Sequence, residues 1–104
     1  MITITGTVGT SGKYLVTGIP VDTTATVVFK IAFMNNTAGT NLVLWAGSIA
    51  QFTAGGAGTI RLSDSGGPGF QFLTIIDTQK IAGMVLYVQR AVGTAASTFT
   101  INIE

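Results

Sequence analysis

Ala25-Thr26-Val27-Val28-Phe29-Lys30-Ile31-Ala32-Phe33-Met34 alternates with a period of two. Val27, Phe29, Ile31 and Phe33 fall on one face and Thr26, Val28, Lys30, Ala32 and Met34 on the other. The first row is wholly apolar and has to be buried. The second is mixed and suits a sheet surface that is at most partly wetted. β-Branched and aromatic residues pack well on a pleated surface, so the stretch reads as a strand, and as the central core strand.

Working outward, Ile2-Thr3-Ile4-Thr5 alternates with Ile2 and Ile4 inward, and the turn-rich run Gly6-Thr7-Val8-Gly9-Thr10-Ser11-Gly12 ends it. Lys13-Tyr14-Leu15-Val16-Thr17 is a second short strand, closed by Gly18-Ile19-Pro20, whose proline cannot donate to a central ladder. Asp22-Thr23-Thr24 leads into the central strand, and Asn35-Asn36-Thr37-Ala38-Gly39-Thr40 supplies the turn after it.

Residues 41–49 resume, with Val43, Trp45 and Ile49 on one side and Leu42, Leu44 and Ala46 on the other. Both faces are apolar, so this strand is expected to be covered twice. Residues 46–53 read as strand end and loop, since the segment is short and Gly47 disfavours a helix. Ala54-Gly55-Gly56-Ala57-Gly58 is a connection, Thr59-Ile60-Arg61-Leu62 a short strand, and Ser63-Asp64-Ser65-Gly66-Gly67-Pro68-Gly69 the longest loop signal. Phe70, Phe72, Thr74 and Ile76 then alternate with Gln71, Leu73, Ile75 and Asp77, and Asp77-Thr78-Gln79-Lys80 reads as a turn. Met84, Leu86 and Val88 oppose Val85, Tyr87 and Gln89, and Ser97-Thr98-Phe99-Thr100-Ile101-Asn102-Ile103 is the last strand.

About eight short strands between Gly, Asn, Asp, Ser and Pro clusters, with no helical period, predict an all-β fold. The preferred version is a single-domain antiparallel β-sandwich over residues 1–104, jelly-roll-like, with a small barrel as the other possibility. The two terminal strands share an Ile/Thr alternation and are expected side by side near one sheet edge. An edge of Thr and Ile without Lys or Pro invites pairing with another chain.

Composition sharpens this. Of 104 residues, 47% are hydrophobic and only 9% charged, with a formal net charge of +1, whereas an ordinary soluble domain carries about a quarter charged residues. A monomer normally stays soluble through interspersed charge, so much of this surface is expected to be covered by identical or different subunits. The alternative is a monomer with a neutral surface of Thr, Ser, Asn and Gln. Lys13, Lys30, Arg61, Lys80 and Arg90 are scattered, which argues against nucleic acid. No apolar run approaches the roughly 18 residues of a membrane helix, and the strands are short for an outer-membrane barrel, so no membrane partner is expected. The absence of Cys excludes disulfides and thiolate metal sites. Met1-Ile2-Thr3-Ile4-Thr5 lacks the basic and apolar regions of a signal peptide.

Five features invite a chemical reading. Ser63-Asp64-Ser65-Gly66-Gly67-Pro68 resembles the nucleophile segment of chymotrypsin-like serine proteases, usually Gly-Asp-Ser-Gly-Gly-Pro, which would make Ser65 the nucleophile. That mechanism needs an imidazole base, and the chain has no histidine. A Ser65–Lys80 dyad is the only substitute, and a plain turn is the expected reading. Gly6 to Lys13 is superficially similar to a phosphate-binding P-loop, but five residues separate Gly6 from Gly12, and Tyr14 stands where Ser or Thr belongs. Asp22, Asp64 and Asp77 would need loops to gather them around calcium, and turn-capping is expected instead. Asn35-Asn36-Thr37 is a glycosylation sequon, taken as incidental. Trp45, Tyr14 and Tyr87 are the residues a sugar site would use, with Trp45 expected in the core. No catalytic, cofactor-binding or metal-binding residue is assigned, and the chain is expected not to be an enzyme and to need no cofactor.

In its Thr/Gly/Ala-rich, charge-poor, all-strand make-up the chain resembles small β-sandwich structural proteins of tailed-phage virions, such as capsid decoration proteins and tail or fibre modules. The resemblance implies a virion-located, non-enzymatic building block, a capsid decoration (cement) or head-tail accessory protein. It also implies a homo-oligomer, trimer favoured, that binds other virion proteins such as the major capsid protein. A carbohydrate-binding, lectin-like module with a glycan as partner is the alternative.

Overall fold

The computed structural model describes residues 2–18, 28–69 and 71–104. The expectations for Ile19, Pro20, Asp22 to Val27 and Phe70, and for the facing of Phe29 and Phe72, lie outside the described residues and side chains. Eight strands and one short helix follow in the order β1 (Ile2–Val8), β2 (Lys13–Val16), β3 (Val28–Asn35), β4 (Asn41–Gly47), α1 (Ile49–Ala54), β5 (Ile60–Ser65), β6 (Gln71–Asp77), β7 (Val85–Val92) and β8 (Ser97–Ile103).

Two antiparallel four-stranded sheets form, ordered β1-β8-β3-β6 and β2-β7-β4-β5. This is the strand order of a jelly roll, with successive strands crossing between sheets except at the β4–β5 pair. The stretch that opened the sequence reading supplies β3, an interior strand flanked by β8 and β6, with Ile31 and Phe33 essentially unexposed. The terminal strands pair along their whole length, from Ile2 opposite Ile103 to Val8 opposite Ser97, and β1 forms the edge. Val8, Ile31, Phe33, Leu42, Leu44, Val88, Phe99 and Ile101 meet between the sheets in one core cluster.

Three local readings need correction. The first strand does not stop at Thr5 but runs through Gly6 to Val8, because Gly6 is itself a packing residue. A Cβ there would stand 2.7 Å from the Tyr14 ring and 2.8 Å from the Phe99 ring. The fifth strand continues through Ser63, Asp64 and Ser65; Ser63 and Ser65 lie opposite Leu44 and Leu42, and Ser65 is buried. Residues 49–54 are a helix rather than strand end and loop. Ser48 accepts from the Gln51 N–H while the Gln51 side chain accepts from the Ser48 N–H, a capping box, and Gly55 closes the helix at φ 76°.

That helix answers the question of β4's second face. Leu42, Leu44 and Ala46 face the core at 0% exposure, while residues 48–59 fold back over the opposite side of the same sheet. There the Phe52 ring meets Tyr87 edge-on at 5.5 Å, and Tyr87, wholly buried, donates its hydroxyl to the Gly56 carbonyl at 2.8 Å. Lys13 Nζ lies over the Phe52 ring and donates to the Thr53 carbonyl. The strand is covered twice, as its composition requires.

Burial raises the Tyr87 pKa above the ordinary tyrosine value, so the folded protein holds this proton more tightly than the unfolded chain. Its contribution to stability is complete below about pH 10 and is lost as pH rises through the folded value. Chemical denaturation across the alkaline range is expected to show this decline, and Tyr87→Phe to flatten it while losing about 1 kcal/mol of hydrogen bonding.

Candidate functional site

Each chemically suggestive group is placed by the fold. Ser65 is 1% exposed, and its Oγ accepts the Asn35 N–H at 3.0 Å. It therefore sits at the C-terminal end of β3. Lys80 lies in the turn after Asp77, which pairs with Val28 at the other end of β3. Seven residue steps of strand separate the two ends, about 23 Å, so Ser65 and Lys80 form no dyad. The protease-like segment is a strand end and turn.

The P-loop-like segment is strand, turn and strand, with the Gly12 N–H donating to the Gly9 carbonyl at 3.1 Å and β2 starting at Lys13. No helix follows it to cradle a phosphate. Arg90 claims this turn instead. Its Nη1 donates to the Val8, Gly9 and Ala95 carbonyls at 2.9–3.1 Å and its Nε to Gly93, tying the β1–β2 turn to the β7–β8 connection.

Asp64 is ion-paired with Arg61, and Asp77 accepts the Gln79 N–H at 2.9 Å. Asp22 lies outside the described residues. Among the described residues no group of three or more acidic, His or Cys side chains is gathered to hold a metal. The sequon residue Asn35 is 0% exposed, with its side chain wholly engaged inside the fold, so it offers nothing to a glycosyl transfer.

The three aromatic residues of a sugar site are not brought together. Tyr14 packs inward, edge-on to Phe99 at 5.2 Å. Tyr87 lies on the opposite side of that sheet beneath Phe52. Trp45, opposite Tyr87 across the β4–β7 ladder, is half-buried rather than in the core, and its Nε1 donates to Gln89 at 2.8 Å. Strand alternation explains this: Trp45 stands between the core-facing Leu44 and Ala46 and so points away from the core, where Gly58 packs against its Cβ.

What the fold does present is a surface. On the outer side of the β1-β8-β3-β6 sheet, cross-strand pairing sets Thr3 beside Asn102, Thr5 beside Thr100, Ala32 beside Leu73 and Lys30 beside Ile75. One half of this face is a carpet of Thr and Asn. The other carries the exposed apolar side chains Leu73 (73%), Ile75 (70%) and Val28 (58%), with Lys30 exposed beside Ile75 and Asp77 opposite Val28. Sequence alternation put Leu73 and Ile75 on one row with Gln71 and Asp77, but that row and its opposite both mix apolar and polar residues, so period alone left the wetted row unidentified. Among the described residues, no helix is long and apolar enough to cross a membrane.

Compared with known proteins, the chain matches no family model, no curated protein and no solved structure.

Proposed function

We propose that this chain is a non-enzymatic structural protein of a virus particle. In this reading it is a capsid decoration or head-tail accessory protein, assembling through neutral surfaces with its own copies and with other virion proteins such as the major capsid protein. The observation that carries the reading is the gathering of the exposed apolar side chains Val28, Leu73 and Ile75 on one outer sheet face of a chain with only 9% charged residues. Scattered exposed apolar side chains are ordinary, but several large ones gathered on one sheet face favour an interaction surface. The jelly roll is a fold shared by viral capsid and lectin domains. Fold therefore leaves function open, and the surface chemistry carries the choice.

Burial of such surface contributes about 25 cal/mol per Å² before association costs are subtracted. An interface built this way responds little to ionic strength. The dissociation constant of the assembled form, followed by sedimentation, is expected to change less than about threefold between low salt and about 1 M salt, where charges are screened within about 3 Å. A steep loss of affinity with salt would show that charge pairs hold it together.

The partial exposure of Trp45 gives the lectin-like reading its foothold, while the pairing of its indole N–H with Gln89 removes the donor a sugar would use. Trp45 emission is expected to stay constant on adding mono- and oligosaccharides. Saturable quenching would favour a sugar receptor.

A further inference from the structure

Resting on the assembly reading above, we infer that the occupant of the β6 edge is a second copy of this chain, joined by antiparallel β6–β6 pairing about a two-fold axis. Among the described residues the sandwich has four edge strands, and they are not alike. β2 is four residues long and begins with Lys13, and β5 carries the Arg61–Asp64 ion pair. Short length and charge are the ordinary guards against edge pairing. β1 has no charge, but its outer row is Thr3, Thr5 and Thr7. β6 alone combines seven residues, no Lys, Arg or Pro, and an outward row of Leu73 and Ile75.

The ladder fixes which backbone groups are free. Lys30 and Glu104 exchange N–H···O bonds, so Lys30 points its backbone at β8 and the next residue, Ile31, points at β6. Thr74, opposite Ile31, therefore faces β3, and Leu73 and Ile75 turn their N–H and C=O groups away from the sheet. Gln71 is oriented the same way. The Asp77 N–H is directed outward too, whereas its carbonyl accepts the Lys80 N–H at 3.0 Å.

One register suits this edge against itself. Placing Thr74 on the two-fold sets Leu73 opposite Ile75 of the second copy and Gln71 opposite Asp77. Each Leu73–Ile75 pair exchanges two bonds and each Asp77 N–H meets a Gln71 carbonyl, about six bonds in all. No like charges oppose, and the most exposed large apolar side chains among the described residues cover one another. Such an isologous contact closes on itself, as two-fold interfaces do. The first assembled unit is then a dimer with a continuous eight-stranded sheet, in place of the trimer that the virion resemblance favours.

The test uses the absence of native cysteine. Residues opposed in a hydrogen-bonded pair have Cα atoms about 5.5 Å apart, within disulfide range. Mixing Leu73→Cys with Ile75→Cys chains under mild oxidation is expected to give a cross-linked heterodimer at least tenfold faster than a Leu73→Cys and Thr5→Cys mixture. The single variant Leu73→Lys, at a position too exposed to disturb folding, is expected to weaken dimerisation at least 100-fold with an unchanged circular dichroism spectrum. If the wild type has a mass above one chain while neither result appears, the β6 pairing is wrong and the assembly reading stands. If the wild type is a monomer throughout, both fall. A cross-linked trimer would also overturn the two-fold.

Discussion

Asn35→Ala is expected to lower stability by about 3 kcal/mol, because Asn35 is the hub of a buried polar cluster with no solvent to replace it. Its Nδ2 donates to the Thr40 carbonyl at 2.9 Å and to Thr40 Oγ1 at 3.1 Å, and its Oδ1 accepts the Thr37 N–H at 2.9 Å. Thr40 Oγ1 lies 3.0 Å from Ser97 Oγ, and Thr37 Oγ1 accepts the Thr98 N–H. Asn35 thus holds the β3–β4 turn, whose Thr37 and Thr40 hydroxyls in turn bind the start of β8. Truncating it leaves the buried Thr40 carbonyl and the half-buried Thr37 N–H without their partner, and a buried orphan costs about 1–3 kcal/mol. Thermal unfolding should show a fall of about 15 °C in Tm for a domain of this size. Asn35→Asp restores the acceptor but sets a carboxylate against the Thr40 carbonyl, so it is expected to rescue little. An Asn35→Ala protein of wild-type stability would mean that the cluster is not what fixes this end of the sandwich.

Phe99→Ala is expected to cost about 4 kcal/mol, the largest single effect. Phe99 is 0% exposed, meets the Tyr14 ring edge-on at 5.2 Å and the Phe33 ring at 6.2 Å, and thereby joins the two sheets. Its ring also fills the space above Gly6. Gly6→Ala should accordingly cost about 2 kcal/mol by overpacking. In a Phe99→Leu background, where the ring is gone, the same glycine substitution should cost measurably less. A double-mutant cycle from chemical denaturation reads this coupling, and strict additivity would show that the two positions do not compete for one volume.

Much of the architecture is legible in the residues. Ile31 and Phe33 mark the core row of β3 by period alone. The Ile/Thr pattern shared by both termini identifies the β1–β8 pair, and apolar residues on both sides of β4 announce the layer that covers Tyr87. The helix was masked by Gly47, although Ser48-Ile49-Ala50-Gln51 carries the capping-box spacing. Six residues are too few for hydrophobic periodicity to register, and the helix is held by its caps and by Phe52 packing. Ser63 and Ser65 read as loop because small polar residues favour turns, yet here they line the inside of a strand, and Ser65 holds the Asn35 N–H. The outer apolar row escaped for a different reason. Alternation assigns residues to two faces, but only the partner strands and the second sheet decide which face meets water.

The proposed assembly of this neutral sandwich is read by light scattering on the purified chain over a range of micromolar concentrations. A solution mass at a whole multiple of 10.7 kDa, reached at both low and high salt, is the predicted result, and a strict 10.7 kDa particle at every concentration would contradict it.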